Sequence, residues 1–179
     1  QFEQDLELIG LNFSLSDQYD LSDNMRMIYV TDDYKNPLRR LGTVHSILKN
    51  HDGQCRIFVC LVGAGEIRYG GLVKANKELF GDISSSTYSR VRHDLNYGRP
   101  NSSPSEQDIA RTLFNADHIM VYPYKMEGKK YEDNFTRVRV VAIEKNGIDV
   151  FLYFAMTDQG IKDFDKYLMD FKGVFLFSK

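Results

Sequence analysis

The chain has 179 residues, a formal net charge of −2 and no tryptophan, with 42% hydrophobic residues. So small a charge offers no global attraction to nucleic acid or to an anionic membrane, and no apolar run reaches the roughly 20 residues of a spanning helix. A chain of this length is expected to form one domain and to bury about 70% of the surface its unfolded form exposes.

The chain opens at Gln1 without an initiator methionine, and residues 1–10 read as a polar tether ahead of a single α+β domain over 11–179. Such a start is expected where the amino terminus has been removed, as in an exported domain or a lipoprotein anchored upstream of Gln1. A trimmed cytoplasmic protein is the alternative. Leu11, Phe13 and Leu15 alternate with polar residues and predict a first strand; residues 16–24 read as a polar loop and 25–30 as a second strand. Asn36-Pro37 favours an extended break, with one helical turn over 38–41.

Residues 43–49 and 54–62 predict a hairpin across Asn50-His51-Asp52-Gly53, although Val44, Ile47 and Leu48 also fit helical spacing. Cys55 and Cys60 then lie on one strand, facing opposite sides and about 16 Å apart, too far to bridge. With no other cysteine in the chain, two buried free thiols are expected. Residues 63–71 read as a loop, 72–80 fit either element, and 87–97 fit a helix or an exposed strand. Beyond the Pro/Ser/Asn-rich 98–104, Ser103-Pro104-Ser105-Glu106 has the form of a capping box with proline at the first helical position. Ile109, Ala110, Leu113 and Phe114 supply that helix's buried face and Asn115 closes it. Residues 119–124 predict a strand whose Pro123 suits a sheet edge, followed by a charged loop over 126–133.

The last forty-odd residues are the most legible. Ile148, Val150, Leu152, Phe154 and Met156 share one strand face, while Phe151, Tyr153 and Ala155 make the other face apolar too. Such a strand belongs inside a sheet covered on both sides. It pairs with a strand over 136–144. A two-residue Asn146-Gly147 turn sets Arg137 and Arg139 opposite Met156 and Phe154; a three-residue loop pairs Val138, Val140 and Ala142 with Phe154, Leu152 and Val150. The second register keeps one face wholly apolar and is the one expected. Thr157 or Asp158 is a candidate N-cap. Ile161, Phe164, Leu168 and Phe171 form a helical stripe, Gly173 suits the left-handed C-cap position, and residues 174–177 form a terminal strand.

Chemistry-bearing motifs are sparse. Gly63-Ala64-Gly65-Glu66-Ile67-Arg68 has Arg68 where a dinucleotide fingerprint needs its third glycine. His45, His51, His93 and His118 have no metal-ligand spacing, so no metal and no cofactor is expected. There is no G-x-S-x-G elbow, and Asp32-Asp33 suits a solvated loop. The one suggestive polar cluster is Tyr88, Arg90, Arg92, His93, Tyr97 and Arg99. Guanidinium forks beside aromatic rings hold carboxylates, phosphates or sugar acids, so a small anionic ligand is the expectation, with Arg137 and Arg139 as possible additions. A solvated basic stripe is the plainer reading.

A capped helix, then Asn115-Ala116-Asp117 leading into a strand, a long hairpin, Thr157-Asp158 opening a last helix and a Phe-rich final strand together resemble the Mog1/PsbP-like fold. The pattern is also similar to uncharacterised exported or lipoprotein relatives of that fold in Bacteroides-type bacteria. The resemblance implies an α/β/α sandwich with a mostly antiparallel central sheet. It implies no shared function, because neither the photosystem II role of PsbP proteins nor the Ran-binding residues of Mog1 are matched. The expectation is therefore a non-enzymatic binding or interaction module, envelope-associated, taking a small anion or a protein partner. The alternative is a hydrolase-type enzyme whose site assembles only in three dimensions.

Overall fold

The structure is a computed structural model that describes residues 2–22, 26–27, 43–62, 108, 110–124, 134–146 and 148–178. Two strand meanders, joined side by side, make its main sheet. The first comprises β2 (Tyr19–Ser22), β5 (Ser46–Asn50) and β6 (Cys55–Val62); the second comprises β7 (His118–Tyr124), β8 (Arg137–Lys145) and β9 (Ile148–Met156). The six strands run in the order β2-β5-β6-β9-β8-β7, and every neighbouring pair is antiparallel. β9 is interior, as its doubly apolar sequence requires, with Val150 through Met156 no more than 1% exposed. β7, which carries Pro123, lies at an edge, where a missing amide costs no ladder bond. A short antiparallel pairing of β3 (Arg26–Met27) with β4 (Thr43–Val44) forms a separate ladder.

Alternation divides the apolar residues between two faces. One carries Ile57, Val59, Val121, Val141, Ile143, Leu152, Phe154 and Met156, and a second layer packs on it. That layer contains α1 (Phe2–Leu8), a π-helical turn at Ala110–Phe114, a 3-10 turn at Gly160–Asp163 running into α2 (Phe164–Asp170), and a two-stranded ribbon of β1 (Leu11–Phe13) with β10 (Phe175–Phe177). Ring contacts run from the sheet outward: Phe154 to Phe171 at 5.4 Å, Phe171 to Phe175 at 5.7 Å, Phe175 to Phe13 at 5.1 Å and Phe13 to Phe2 at 5.4 Å. The other face carries Ile47, Phe58, Cys60, Tyr122, Val138, Val140, Phe151, Tyr153 and Ala155, with Phe135 against them. Among the described residues this second cluster is drawn from strands and Phe135 alone. Cys55 and Cys60 fall on opposite faces, neither in a disulfide and both buried, as their spacing predicts.

Three expectations are corrected. The opening residues are not a tether: they form α1, whose Phe2 and Leu6 are buried in the core. Polar Glu3, Gln4 and Glu7 mask a stripe in which apolar residues at positions 2 and 6 sit one helical turn apart. The polar stretch 16–24 contains β2, held by ladder pairing to β5 rather than by its own alternation. The β8–β9 register is the two-residue one, with Lys145 facing Ile148, Val141 facing Leu152, Arg139 facing Phe154 and Arg137 facing Met156. A longer loop would keep arginine off that face, but here each guanidinium has a partner. Arg137 Nε donates to Asp158 Oδ1 at 2.9 Å, and the Arg139 guanidinium lies 4.9 Å over the Phe164 ring. Stems can then lie on apolar surface while the heads stay solvated or stacked. Asn146, at φ 53°, has the left-handed conformation that a two-residue hairpin turn needs.

Candidate functional site

All six residues of the predicted anion cluster, Tyr88, Arg90, Arg92, His93, Tyr97 and Arg99, lie outside the described residues, as do the 63–68 loop, Asp32-Asp33 and the Ser103–Glu106 capping box. Arg137 and Arg139, their possible additions, sit on the helix-covered face of the sheet, engaged with Asp158 and Phe164. His45 and His51 make framework contacts. His45 is buried and its Nδ1 accepts the Leu61 amide at 3.1 Å, while His51 Nε2 and Asp20 Oδ1 are hydrogen-bonded at 3.0 Å near the surface. Among the described residues, no group of three or more His, Cys, Asp or Glu is placed to hold a metal ion.

A dense polar convergence gathers where the β5–β6 turn meets α2. Local bonds shape the turn first: Asp52 N donates to Asn50 Oδ1 at 3.0 Å, and Gln54 N donates to Asp52 Oδ1 at 2.7 Å. Gly53 takes φ 72°, which a side chain would oppose. Contacts from more than a hundred residues along the chain then lock the turn in place. The Tyr167 hydroxyl donates to Asp52 Oδ2 at 2.6 Å, Thr157 N donates to Gln54 O at 3.1 Å, and the Thr157 hydroxyl donates to Gln54 Oε1. That same hydroxyl accepts the Gly160 amide at 2.9 Å, so Thr157 opens the last helical segment as the sequence suggests. Gly160 is required by contact: a Cβ there would strike the Gln54 carbonyl oxygen.

Burial sets the electrostatics of this corner. Desolvation, followed by the hydrogen bond to Asp52, pushes Tyr167 above the ordinary tyrosine range. Tyr19 on β2, stacked edge-on against Phe171 at 5.7 Å, is also raised, by desolvation first, with Asn50 pulling the other way. Burial likewise holds the Cys55 thiol well above its usual value, with the Asp52 charge acting in the same direction. Raised values keep these groups protonated, the reverse of what a nucleophilic thiol or phenolate requires. The convergence is a latch between turn and helix. Its constituents were visible in the sequence only as a turn and a helical stripe, because the pairing of position 52 with 167 has no local signal.

A recess lies elsewhere. A groove of about 380 Å³ runs between α1 and β1, lined by Glu3, Leu6 and Glu7 on the helix, Gly10 to Phe13 on the strand, and Ser178. Its size falls in the range of small-ligand sites, but its lining is mainly polar rather than apolar. Glu3 and Glu7 are exposed, one helical turn apart on the same wall. The i, i+4 signal was there to be read, and the tether reading concealed it. Beside β10, Asn115, at φ 49°, donates from Nδ2 to Phe177 O at 2.8 Å, and Lys145 Nζ reaches Asn115 O at 2.9 Å. The motif-like Asn115-Ala116-Asp117 is thus a corner brace. No described helix is long and apolar enough to cross a membrane. Comparison with protein-family models, with curated proteins and with solved structures finds no match for the chain.

Proposed function

We propose that this chain is a non-enzymatic binding module, built on an α/β/α sandwich of Mog1/PsbP-like type and associated with the cell envelope. One observation carries the reading furthest: the polar convergence at Asp52, Gln54, Thr157 and Tyr167 is occupied by bonds that hold a turn to a helix. Its reactive groups are buried and kept protonated rather than presented to a substrate. A sheet braced in this way suits a platform whose ligand contacts sit on its margins. The Tyr88–Arg99 segment, with three guanidinium groups beside two phenols, supplies the anion-recognising chemistry.

Thermal unfolding in the presence of phosphate, citrate and a hexuronic acid tests this. A ligand at 100 times its dissociation constant stabilises by about 2.7 kcal/mol, worth roughly 2–4 °C per kcal/mol for a chain of this size. The expected result is a rise in midpoint that a paired Arg90→Gln, Arg92→Gln variant abolishes. No rise with any anion well above millimolar would retire the anion site.

A further inference from the structure

The junction between β4 and β5 holds a titratable group that neither the latch nor the groove uses. Ser46 faces Val59 in the β5–β6 ladder, and the amide of the preceding residue, His45, donates to the Val59 carbonyl at 2.8 Å. Two successive residues of one strand thus meet one of the other, which is a β-bulge, and a bulge re-aims a side chain. Here the imidazole lies along β6: its Nδ1 accepts the Leu61 amide at 3.1 Å, in a bond buried from solvent. A strand carbonyl would ordinarily receive that amide, so a ring nitrogen replaces one rung of the ladder. Beyond the bulge, β4 runs beside β6 but pairs with β3, in a ladder of its own. Leu61 stays paired on its other side, opposite Val150 of β9.

A main-chain N–H can only donate, so this bond requires a lone pair on Nδ1 and a neutral ring with its proton on Nε2. Imidazolium carries hydrogen on both nitrogens. It would set N–H against N–H at Leu61 and leave a buried amide without its acceptor. We propose that His45 is an acid-operated hinge: a proton taken up by Nδ1 parts the imidazole from the Leu61 amide and frees the β3–β4 ladder to turn away from β6 about the bulge. An exposed histidine ordinarily titrates near pH 6.5, so the opened form binds the proton first. The closed form is favoured above that value, and below it the opened fraction rises by up to about tenfold per pH unit. The ionisable residues on the neighbouring strands are, by register, Cys60 on β6, Arg26 across β4 from Val44, Asp149 across β6 from Val62, and Lys49 with Asp20 further down the β2–β5 ladder. Thiol, guanidinium, ammonium and carboxylate groups ordinarily keep one charge state between about pH 7 and pH 5, which leaves imidazole as the group that changes. None of the Tyr88–Arg99 residues takes part, so the hinge and the anion site fail independently.

Two measurements on the unaltered chain and one on a variant test the hinge. Nitrogen-15 shifts of the His45 ring should show Nδ1 without a proton at about pH 7.5. Amide exchange, taken relative to an unstructured amide at the same pH, should show Leu61 protection falling about fivefold or more between about pH 6.5 and pH 5. Leu152 and Phe154 in β9 should keep theirs. His45→Asn places a side-chain oxygen near the position of Nδ1 that accepts a hydrogen bond and does not titrate, so its Leu61 protection should stay level over the same range. A proton on Nδ1 at neutral pH, or Leu61 protection that ignores pH, would overturn the proposal. Equal losses at Leu152 and Phe154 would assign the change to unfolding of the whole sheet, and an equally steep fall in His45→Asn would assign it to another histidine; either result refutes the hinge. The first two measurements need no substitution, so they decide the matter even if the asparagine variant does not fold.

Discussion

Gly160 is the residue at which packing is least forgiving. It is buried, and the Gln54 main chain passes so close that an added methyl meets a carbonyl oxygen rather than the movable end of a side chain. Relief would need the β5–β6 turn to withdraw from the helix, and Tyr167 and Thr157 hold that turn down. Gly160→Ala is expected to destabilise by about 1–3 kcal/mol, the usual cost of overpacking. Denaturant unfolding reads it, and a midpoint equal to that of the unaltered chain would mean that the approach is slack. Asn115 is comparable among non-glycine residues: its left-handed backbone is tolerated because its side chain is short and finds the Phe177 carbonyl.

Among elements, the segment from Thr157 to α2 best shows how local and distant bonds share one group. The Thr157 hydroxyl accepts the Gly160 amide while donating to Gln54, so one side chain both starts the helical segment and docks it on the sheet. Valine keeps the shape of threonine and removes both bonds. Thr157→Val is expected to cost about 1–2 kcal/mol, and Thr157→Ser, which keeps the hydroxyl, should recover most of it. A loss of only a few tenths in urea melts would place the start of the segment elsewhere. The stripe Phe164, Leu168 and Phe171 is buried as its spacing indicates, and Gly173 takes φ 82° beyond the helix end. Caps and stripes are local properties, which is why this element was legible. β2 was not, because its pairing to β5 comes from a ladder and not from its own residues.

At the scale of the whole molecule, burial of ionisable groups sets how stability depends on pH. Cys55, Tyr19 and Tyr167 each ionise at higher pH folded than unfolded. As pH rises, the unfolded chain releases these protons first, so the unfolded state gains and the native state loses. Their contribution is complete below the unfolded values, about 8.5 for cysteine and about 10 for tyrosine, and falls as pH climbs past them, by at most about 1.4 kcal/mol per unit and group. Between about pH 8 and pH 9.5, under reducing conditions, the unfolding free energy of the unaltered chain should decline more steeply than that of Cys55→Ala. Parallel slopes would mean that the thiol is not held neutral by the core. The comparison of slopes, not of absolute stabilities, removes the packing cost of losing the sulfur.

The sequence by itself determined the mostly antiparallel α+β character, the interior position of β9, the hairpin at Asn50 to Gly53, the opposed buried cysteines and the helical stripe near the carboxy terminus. Each follows from a period of two or of 3.6 residues, or from a turn residue, and those signals need no partner. Tertiary structure alone decided the β8–β9 register, since β8 and β9 are apolar on both faces and a one-residue slip changes the face without exposing it. It also decided that residues 2–8 are core rather than tether, that Tyr167 meets Asp52, and that a groove opens along β1. These depend on contacts between residues far apart in the chain, and such contacts have no period for a sequence to display.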